Sequence, residues 1–248
     1  MKDVSILIVH YNTPGLLRQT LKGIVRAGVK VSYEVIVVDN NPLMRIDEMV
    51  RKEFPEVKLI MSDRNLGFGV GMNKAIEQAN GRYLFVFNPD IILTPGSVEG
   101  LMDYMETHPK VGMVGPELRN PDGSHQNSCY RFSKLSTIIY RRVPFLRSLK
   151  KAKAEIQEYL MADTDHAVTQ EVDYILGAAM FVRRQAYEQV GGFDPEFFVY
   201  FEDQDWCRRF WQAGWKVVYH PAVHLIHYHR RETAEGGFIK QLLNPLTR

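Results

Sequence analysis

Two acidic side chains follow runs of apolar residues, a position in which a carboxylate can bind a ligand. Asp90 ends the segment 83–90, where an apolar run stops at Asn88-Pro89-Asp90 because Pro89 cannot donate to a sheet ladder. Asp39 ends a second apolar run. Ligands of open α/β sheets bind at the carboxyl ends of the strands. Asp90 therefore suits a hard divalent cation that also holds a phosphate, and Asp39 suits a ligand N–H or hydroxyl.

Each acid also has a structural interpretation. Asn-Pro and Pro-Asp are ordinary turn dipeptides, and Asp39 could cap the turn or helix that follows it. Two strand-end carboxylates at one edge of a sheet are nevertheless more informative than either one alone.

A glycine-rich loop, 65–71, precedes a predicted helix. The dinucleotide pattern G-x-G-x-x-G would need glycine at position 72, where Met72 stands, and the loop follows the third predicted strand instead of the first. We interpret the loop as a close approach of the backbone to a ligand phosphate or sugar. A flexible surface loop is the alternative.

Acidic residues open a later predicted helix at Glu202-Asp203-Gln204-Asp205. Acids in a first helical turn usually complement the helix macrodipole. Aromatic flanks predict partial desolvation here, which raises a carboxylate pKa and improves a general base. The flanking aromatic residues are Phe197, Phe198, Tyr200, Phe201 and Trp206.

Three histidines lie on a strand predicted near the end of the chain, at His224, His227 and His229. Alternation puts His227 and His229 on one face and His224 on the other. A metal ligand and a polar strand end are both open interpretations.

The elements that must position these side chains alternate between strand and helix in the first half, which predicts a mostly parallel sheet with right-handed crossovers. Expected strands there are 4–9, 34–38, 57–61 and 83–87, with helices at 16–25, 44–54 and 73–78. The second half is mixed. It has expected helices at 95–108, 184–190 and 201–213, and strands at 111–114, 172–182, 216–219 and 223–229.

Composition narrows the class of protein. The 248 residues allow one large or two small domains, and an apolar fraction of 45% supports a sizeable core. A net charge of +2 does not imply a polyelectrolyte partner such as nucleic acid. Cys129 and Cys207 fit no metal or redox spacing. No apolar run is long enough to span a bilayer, so we expect a cytoplasmic protein.

In chain order, these pieces resemble the inverting family-2 glycosyltransferases of the GT-A fold, especially the bacterial rhamnosyltransferase-like group. The resemblance covers roughly residues 3 to 229 and depends on the ordered set, not on any one piece. The matching pieces are Ser5-Ile-Leu-Ile-Val-His-Tyr-Asn12, Val37-Val-Asp-Asn40, Asn65-Leu-Gly-Phe68, Asn88-Pro-Asp90, Gly177-Ala-Ala179, Gly191-Gly-Phe-Asp194, Phe201-Glu-Asp-Gln-Asp205 and Ala213-Gly-Trp215.

The resemblance implies one GT-A-like α/β domain over residues 1–248, a mostly parallel sheet flanked by helices with a smaller mixed half. Its parts would be a nucleotide-sugar-binding half (1–94), an acceptor-side half (95–230) with a basic helical insertion (131–160), and a C-terminal tail (231–248). Departures from the family pattern are Asn41-Pro42, where relatives often have a Ser-rich turn, and His229-Arg230-Arg231-Glu232, which replaces a glycine-rich tail.

The resemblance also implies roles at matched positions. Asp39 would receive the nucleobase of a nucleotide-sugar, with Tyr11 packing on it. Asn88 and Asp90 stand where the family carries its Asp-x-Asp metal motif, and His227 matches a late histidine that is a further ligand of Mg²⁺ or Mn²⁺. Asp203 matches the catalytic base. Further donor contacts would come from Asn65, Gly67 and Asn73, and acceptor-side contacts from Gly177, Ala178, Glu202 and Trp206.

The implied activity is metal-dependent transfer of a sugar, with inversion, from a dTDP- or UDP-linked donor to a hydroxyl of a cell-surface glycan or lipid-linked acceptor. Subgroup resemblance favours rhamnose. A non-catalytic nucleotide-sugar-binding or assembly subunit is the alternative, and it would need Asp39 and Asp90 but not Asp203. A nucleotidyltransferase should carry a basic glycine-rich loop after the first strand, where His10-Tyr11-Asn12 stands.

A basic stretch, residues 131–153, has eight Lys or Arg and no Asp or Glu, with apolar residues interleaved. Pro144 should divide it into two short helices. Our hypothesis is peripheral contact with the inner face of the cytoplasmic membrane, near a lipid-diphosphate-linked acceptor. A solvated helix face is the alternative.

Overall fold

A ten-stranded sheet is the central feature of the computed structural model, which describes residues 1–44 and 46–228. The described residues form twelve strands, all but β8 and β10 in this sheet: β1 (Lys2–His10), β2 (Tyr33–Asp39), β3 (Lys58–Met61), β4 (Gly81–Phe87), β5 (Ile91–Ile92), β6 (Val111–Arg119), β7 (His125–Gln126), β8 (Cys129–Tyr130), β9 (Gln170–Glu171), β10 (Tyr174–Ile175), β11 (Ala179–Arg183) and β12 (Lys216–His227). The helices are α1 (Pro14–Ala27), α2 (Asp47–Glu53), α3 (Phe68–Glu77), α4 (Ser97–Thr107), α5 (Leu135–Arg142), α6 (Lys150–Tyr159), α7 (Arg184–Val190) and α8 (Glu202–Gln212).

The first half of the sheet runs in the order β3-β2-β1-β4, and all of its strand pairs are parallel. Along β1, Val4, Ile6 and Ile8 pack on one face with α1, α2 and α4, while Leu7 and Val9 pack on the other face with α3, α7 and α8. Successive strand residues point to opposite faces, so a strand covered on both sides is apolar throughout. The predicted parallel, doubly covered half is confirmed.

The second half of the sheet is mixed. Strand β11 pairs antiparallel with both β4 and β6, whereas β12 pairs parallel with β6 and antiparallel with β5. The extended run predicted at 172–182 is two strands, because β10 pairs with β8 in a separate small sheet before β11 joins the large one. The two late strands predicted around Pro221 are one strand, β12. Its register against β6 shifts between His220 and His224, where the chain accommodates the proline.

The basic stretch contains two helices, as predicted, with a 3-10 turn at Pro144–Ser148 between α5 and α6. Within residues 1–44 and 46–228, no helix combines the length and apolar character needed to cross a bilayer. His229 and the predicted tail, 231–248, lie outside the described residues.

Candidate active site

The candidate site lies at the carboxyl edge of the parallel strands. His10 ends β1 and is in register with Asp39 at the end of β2, while β4 ends at Phe87, directly before Asn88. Strand β1 lies between β2 and β4 in the sheet. Asp39 therefore ends one parallel strand and Asp90 follows another at the same edge, as the sequence predicted.

Asp39 is fully buried, and its two carboxylate oxygens have different surroundings. Oδ1 lies 3.0 Å from Nδ1 of His10 and accepts a 3.2 Å hydrogen bond from the N–H of Asn41. Nε2 of His10 accepts a hydrogen bond from the Thr13 N–H, so the proton of the neutral ring is on Nδ1 and is donated to Asp39. Oδ2 has no partner among the described residues. A buried acceptor of this kind is available to a ligand N–H.

The glycine-rich loop is held beside Asp39. The Asn40 side chain donates to the carbonyl of Gly67 at 2.7 Å, and Oδ1 of Asn65 accepts from the Gly67 N–H at 3.0 Å. Gly67 has a φ of 78°, and an added Cβ would overlap the carbonyl oxygen of Phe198. Glycine is therefore required at this position by both conformation and space.

Two other predicted donor contacts differ in their surroundings. Tyr11 directly follows β1 and is half-buried at the edge of the site. Asn73 instead links α3 to a loop, since its side chain donates to the Phe193 carbonyl at 2.7 Å and accepts from the Phe193 N–H at 2.8 Å. This structural role of Asn73 was not predicted, and its donor contact stays a prediction.

Asp90 and His227 come together at the end of β12. Nε2 of His227 lies 3.3 Å from Oδ1 of Asp90, and both side chains are largely buried. The Gln126 amide nitrogen donates to Asn120 and to the His227 carbonyl, so its Oε1 accepts from Nδ1–H of His227 at 2.9 Å. In the neutral tautomer with the proton on Nδ1, the Nε2 lone pair faces a carboxylate oxygen. These two electron-rich atoms need a cation or a second proton between them.

A cation at this position would draw few ligands from the protein. Within the part of the chain that the structure describes, no three His, Cys, Asp or Glu side chains are arranged to hold a metal. Asp90 and His227 form a pair, and Asn88 is a half-buried neighbour. Mg²⁺ sites commonly use one or two carboxylates together with substrate phosphates and water. The donor set therefore fits a metal that is completed by a diphosphate.

Asp203 is connected to the same edge through backbone hydrogen bonds. Its Oδ2 accepts from the Gly177 N–H at 3.0 Å, and the Ala178 carbonyl accepts from the Asn88 N–H at 2.9 Å. A Cβ added to Gly177 would lie 3.3 Å from Cβ of Asp203, so the backbone at Gly177 passes close to the Asp203 side chain. A continuous series of contacts thus leads from Asp203 to the residues that precede Asp90.

Burial raises the pKa of both acids that begin α8. Surrounding protein raises the pKa of Asp203, and the N–H groups of Gly177 and Gln204 oppose that shift. Burial, and then the charge of Asp203, raises the pKa of Glu202 to about 7. Oε2 of Glu202 is buried with no partner in the described residues. Raised carboxylate pKa values, which the aromatic flanks predicted, improve a general base.

Trp206 was predicted to lie on the acceptor side, and this is wrong. The side chain is fully buried, its Nε1 donates to the Gly191 carbonyl, and its ring packs 4.2 Å from that of Phe193. Trp206 lies one turn into α8 on the face that packs on the sheet, so it is a core residue.

Sequence reasoning missed two residues of the site, His10 and Gln126. His10 ends the first predicted strand and lies opposite Asp39, so the alignment of parallel strand ends was a usable signal. Gln126 had no such signal, because it reaches His227 across 101 residues of sequence from the short strand β7.

The fold is shared with solved glycosyltransferase structures of the GT-A type. A crystal structure titled GalNAc-T7 with UDP, GalNAc and Mn²⁺ superposes with a TM-score of 0.70 at 16% sequence identity. The match covers 94% of this chain and 44% of that one, so the present chain spans less than half of its length. At this identity the likeness establishes the GT-A fold.

Curated relatives cover most of the chain. One is N-acetylglucosaminyl-diphospho-decaprenol L-rhamnosyltransferase of Mycobacterium tuberculosis, 27% identical over 94% of this chain and 78% of the relative. Another is the rhamnosyltransferase WbbL of Escherichia coli, 29% identical over 91% of this chain and 83% of the relative. A family model described as glycosyltransferase like family 2 matches residues 2–244, and the chain belongs to this family of sugar-transferring enzymes.

Proposed function

We propose that this enzyme is a metal-dependent, inverting rhamnosyltransferase that uses a nucleoside diphosphate sugar. The observation that carries the proposal is the series of contacts from Asp203 through Gly177 and Ala178 to Asn88, beside Asp90. It brings a carboxylate with a raised pKa next to a strand edge that suits a diphosphate.

Asp39 supports a uracil or thymine base in the donor. Its Oδ1 is occupied by His10 and Asn41, and its buried Oδ2 can accept one N–H. Uracil and thymine carry an N3–H donor, whereas N3 of cytosine is an acceptor. We propose a dTDP- or UDP-linked donor whose N3–H pairs with Oδ2 of Asp39, with Tyr11 against the base and the loop at Gly67 near the diphosphate or sugar.

Asp90 and His227 would hold Mg²⁺ or Mn²⁺. Adjacent ligands around such a small ion are about 3 Å apart, which is comparable with the 3.3 Å between Nε2 and Oδ1. When bound, the ion supplies positive charge that stabilises the leaving nucleoside diphosphate, worth several kcal/mol. Gln126 orients His227 by accepting its Nδ1–H.

Asp203 is the proposed general base. It takes the proton of the acceptor hydroxyl as that oxygen bonds to the anomeric carbon and the bond to the diphosphate breaks. Attack from the face opposite the diphosphate inverts the configuration. The N–H groups of Gly177 and Gln204 fix the carboxylate and favour its charged form, which offsets part of the cost of its burial.

The relatives' names support a proposal for the transferred sugar and the acceptor. A diphospho-decaprenol appears in one of them, and both are rhamnosyltransferases. We extend both features to this chain: rhamnose is the transferred sugar, and a hydroxyl of a lipid-linked glycan of the cell envelope is the acceptor. The enzyme then works in the cytoplasm, at the inner face of the cytoplasmic membrane.

Replacement of Asp203 tests the proposal. Asp203→Asn should lower the transfer rate by about 10²–10⁴-fold, because the base is lost, while binding of UDP and dTDP by calorimetry stays within about twofold. Proton NMR of the wild-type product should show the inverted anomer.

Asp205→Asn is the matched control. It lies in the same helical turn and loses a 2.8 Å ion pair with Arg209, so its transfer rate should stay near wild type. Full transfer by Asp203→Asn, or loss of nucleotide binding in that folded variant, would contradict the assigned role.

A further inference from the structure

The basic stretch, residues 131–153, presents an unusual concentration of exposed apolar side chains. Leu135 is 76% exposed, Ile139 44%, Phe145 74% and Leu149 50%. Leu135 and Ile139 are four residues apart in α5 and share one face of it, while Phe145 and Leu149 follow in and after the 3-10 turn. Exposed apolar groups of this size on one short segment indicate a surface that is covered in use.

The charge around these side chains is positive. Arg147, Lys150, Lys151 and Lys153 are all exposed, and no acid occurs from 131 to 153. The two acids that follow in α6 contact side chains of the basic stretch. Oε1 of Glu155 accepts from the hydroxyls of Ser136 and Thr137 at 2.6 Å each, and Glu158 pairs with Lys134 at 2.9 Å. The outward charge of the turn and of the first part of α6 is therefore cationic.

The segment is attached directly to the catalytic helix. The Ser133 hydroxyl donates to Oε1 of Gln204 at 2.8 Å, and Gln204 is the residue after Asp203. The N–H of Phe132 donates to Asp173 at 2.7 Å, just before β10. The start of the basic stretch therefore lies beside the helix that carries Asp203.

We propose that residues 131–153 form a docking surface for an anionic phospholipid bilayer, with Phe145, Leu149 and Leu135 inserted at the headgroup boundary and the cations on the phosphates. Exposed aliphatic and aromatic groups that alternate in sequence with exposed Lys and Arg match that interface in polarity and in charge. The inference rests on the proposed function, because a lipid-linked acceptor gives the surface its use.

Vesicle flotation tests the surface with the full chain and no substrate. Wild-type protein should float with vesicles of mixed phosphatidylglycerol and phosphatidylcholine, should not float with phosphatidylcholine alone, and should be released by high salt. Each cation near an anionic surface strengthens binding about fivefold. Reversal of three, in Lys150→Glu/Lys151→Glu/Lys153→Glu, should weaken partitioning by at least roughly 100-fold. Phe145→Ser/Leu149→Ser should also reduce flotation.

A charge-matched control separates local from overall electrostatics. Arg26→Glu/Arg51→Glu/Lys52→Glu changes the net charge equally at exposed positions of α1 and α2, and it should float like wild type. Equal loss in both triple variants would overturn the docking surface. The docking surface would also be overturned if the wild-type protein does not float with anionic vesicles, or floats only when a polyprenyl diphosphate is added.

Failure of this inference can be told apart from failure of the proposed function. Thermal stabilisation by UDP with Mn²⁺ reports donor binding and folding in every variant. If the wild-type protein does not float, but is stabilised by UDP and transfers sugar to a soluble acceptor, the proposed docking surface alone is overturned. Normal flotation without nucleotide binding or transfer overturns the function alone.

Discussion

The three aspartates of the site differ in what surrounds their carboxylates. Asp39 has one oxygen occupied by N–H donors and one that has no partner among residues 1–44 and 46–228. Asp90 faces an imidazole nitrogen, and Asp203 is bound by backbone N–H groups. These surroundings suit three different tasks: recognition of an N–H, binding of a cation and removal of a proton. The same residue type therefore acquires its role from its neighbours.

Replacement of Asp39 should change which base is bound. In Asp39→Asn the oxygen can stay toward His10 and Asn41, which puts the amide NH₂ where Oδ2 was. An N–H would then face the uracil N3–H, and UDP should bind about 10–100-fold more weakly by calorimetry. The affinity for CDP, whose N3 is an acceptor, should fall less than the affinity for UDP or should rise. An equal loss for UDP and CDP would argue against a direct contact with the base.

The raised pKa of Glu202 makes folding stability depend on pH. Burial first, and the charge of Asp203 second, raises this pKa from 4.5 to about 7. The linked stabilisation is present below pH 4.5 and is lost as pH rises through 7, by up to about 3 kcal/mol. Glu202→Gln cannot ionise, so its melting temperature relative to wild type should increase between pH 5 and pH 8. Glu188→Gln, at an exposed helix position, should show no such trend.

At the scale of elements, loops that follow β3 and precede α8 are in direct contact. The Phe68 N–H at the start of α3 donates to the Phe198 carbonyl at 3.2 Å, and Gly67 lies beneath that carbonyl. The donor-side loop and the segment leading to Asp203 are therefore one packed unit. Tyr200 and Phe201, which end the segment, both have left-handed φ values, of 72° and 71°.

Two glycines allow this contact to be tested against backbone strain. Gly67 and Gly191 have similar backbone angles, φ 78° and ψ 177° in one and φ 83° and ψ −179° in the other, but only an added Cβ at Gly67 meets another group within 4 Å. Both alanine variants should lose about 1–3 kcal/mol of unfolding free energy, because a backbone with positive φ and ψ near 180° is almost exclusive to glycine. In Gly67→Ala the unfolding free energy, measured with denaturant, should fall by about 2 kcal/mol more, because Phe198 is displaced. The variant should also bind UDP more weakly. Equal losses would show that the contact is unimportant.

At the scale of the whole molecule, one sheet joins the two halves of the site. Strand β4 pairs with β1 on one side and with β11 on the other, and β12 carries His227 back to Asp90 after most of the chain has been used. Nucleotide and metal should therefore stabilise the whole fold together, since a ligand that binds only the folded state raises its stability by mass action.

Histidines on opposite faces of β12 provide a matched test of the metal. His227→Asn should remove the extra rise in melting temperature that Mn²⁺ adds to UDP, and Asp90→Asn should do the same, because the two side chains are paired. His224→Asn, three residues away, should keep the full Mn²⁺-dependent rise. A metal increment that survives in His227→Asn would remove this histidine from the proposed ligands.

Much of this arrangement was determined by sequence alone. Apolar runs that end in Asn-Pro-Asp or Asp fixed where buried strands stop, and strand–helix alternation predicted the parallel sheet, because both depend on local pattern and on general packing rules. Tertiary structure decided what those rules do not contain. Examples are the hydrogen bond from His10 to Asp39, the Gln126 contact that orients His227, and the burial of Trp206 in the core. Each of these contacts joins groups from distant parts of the chain, and a local sequence pattern does not predict such contacts.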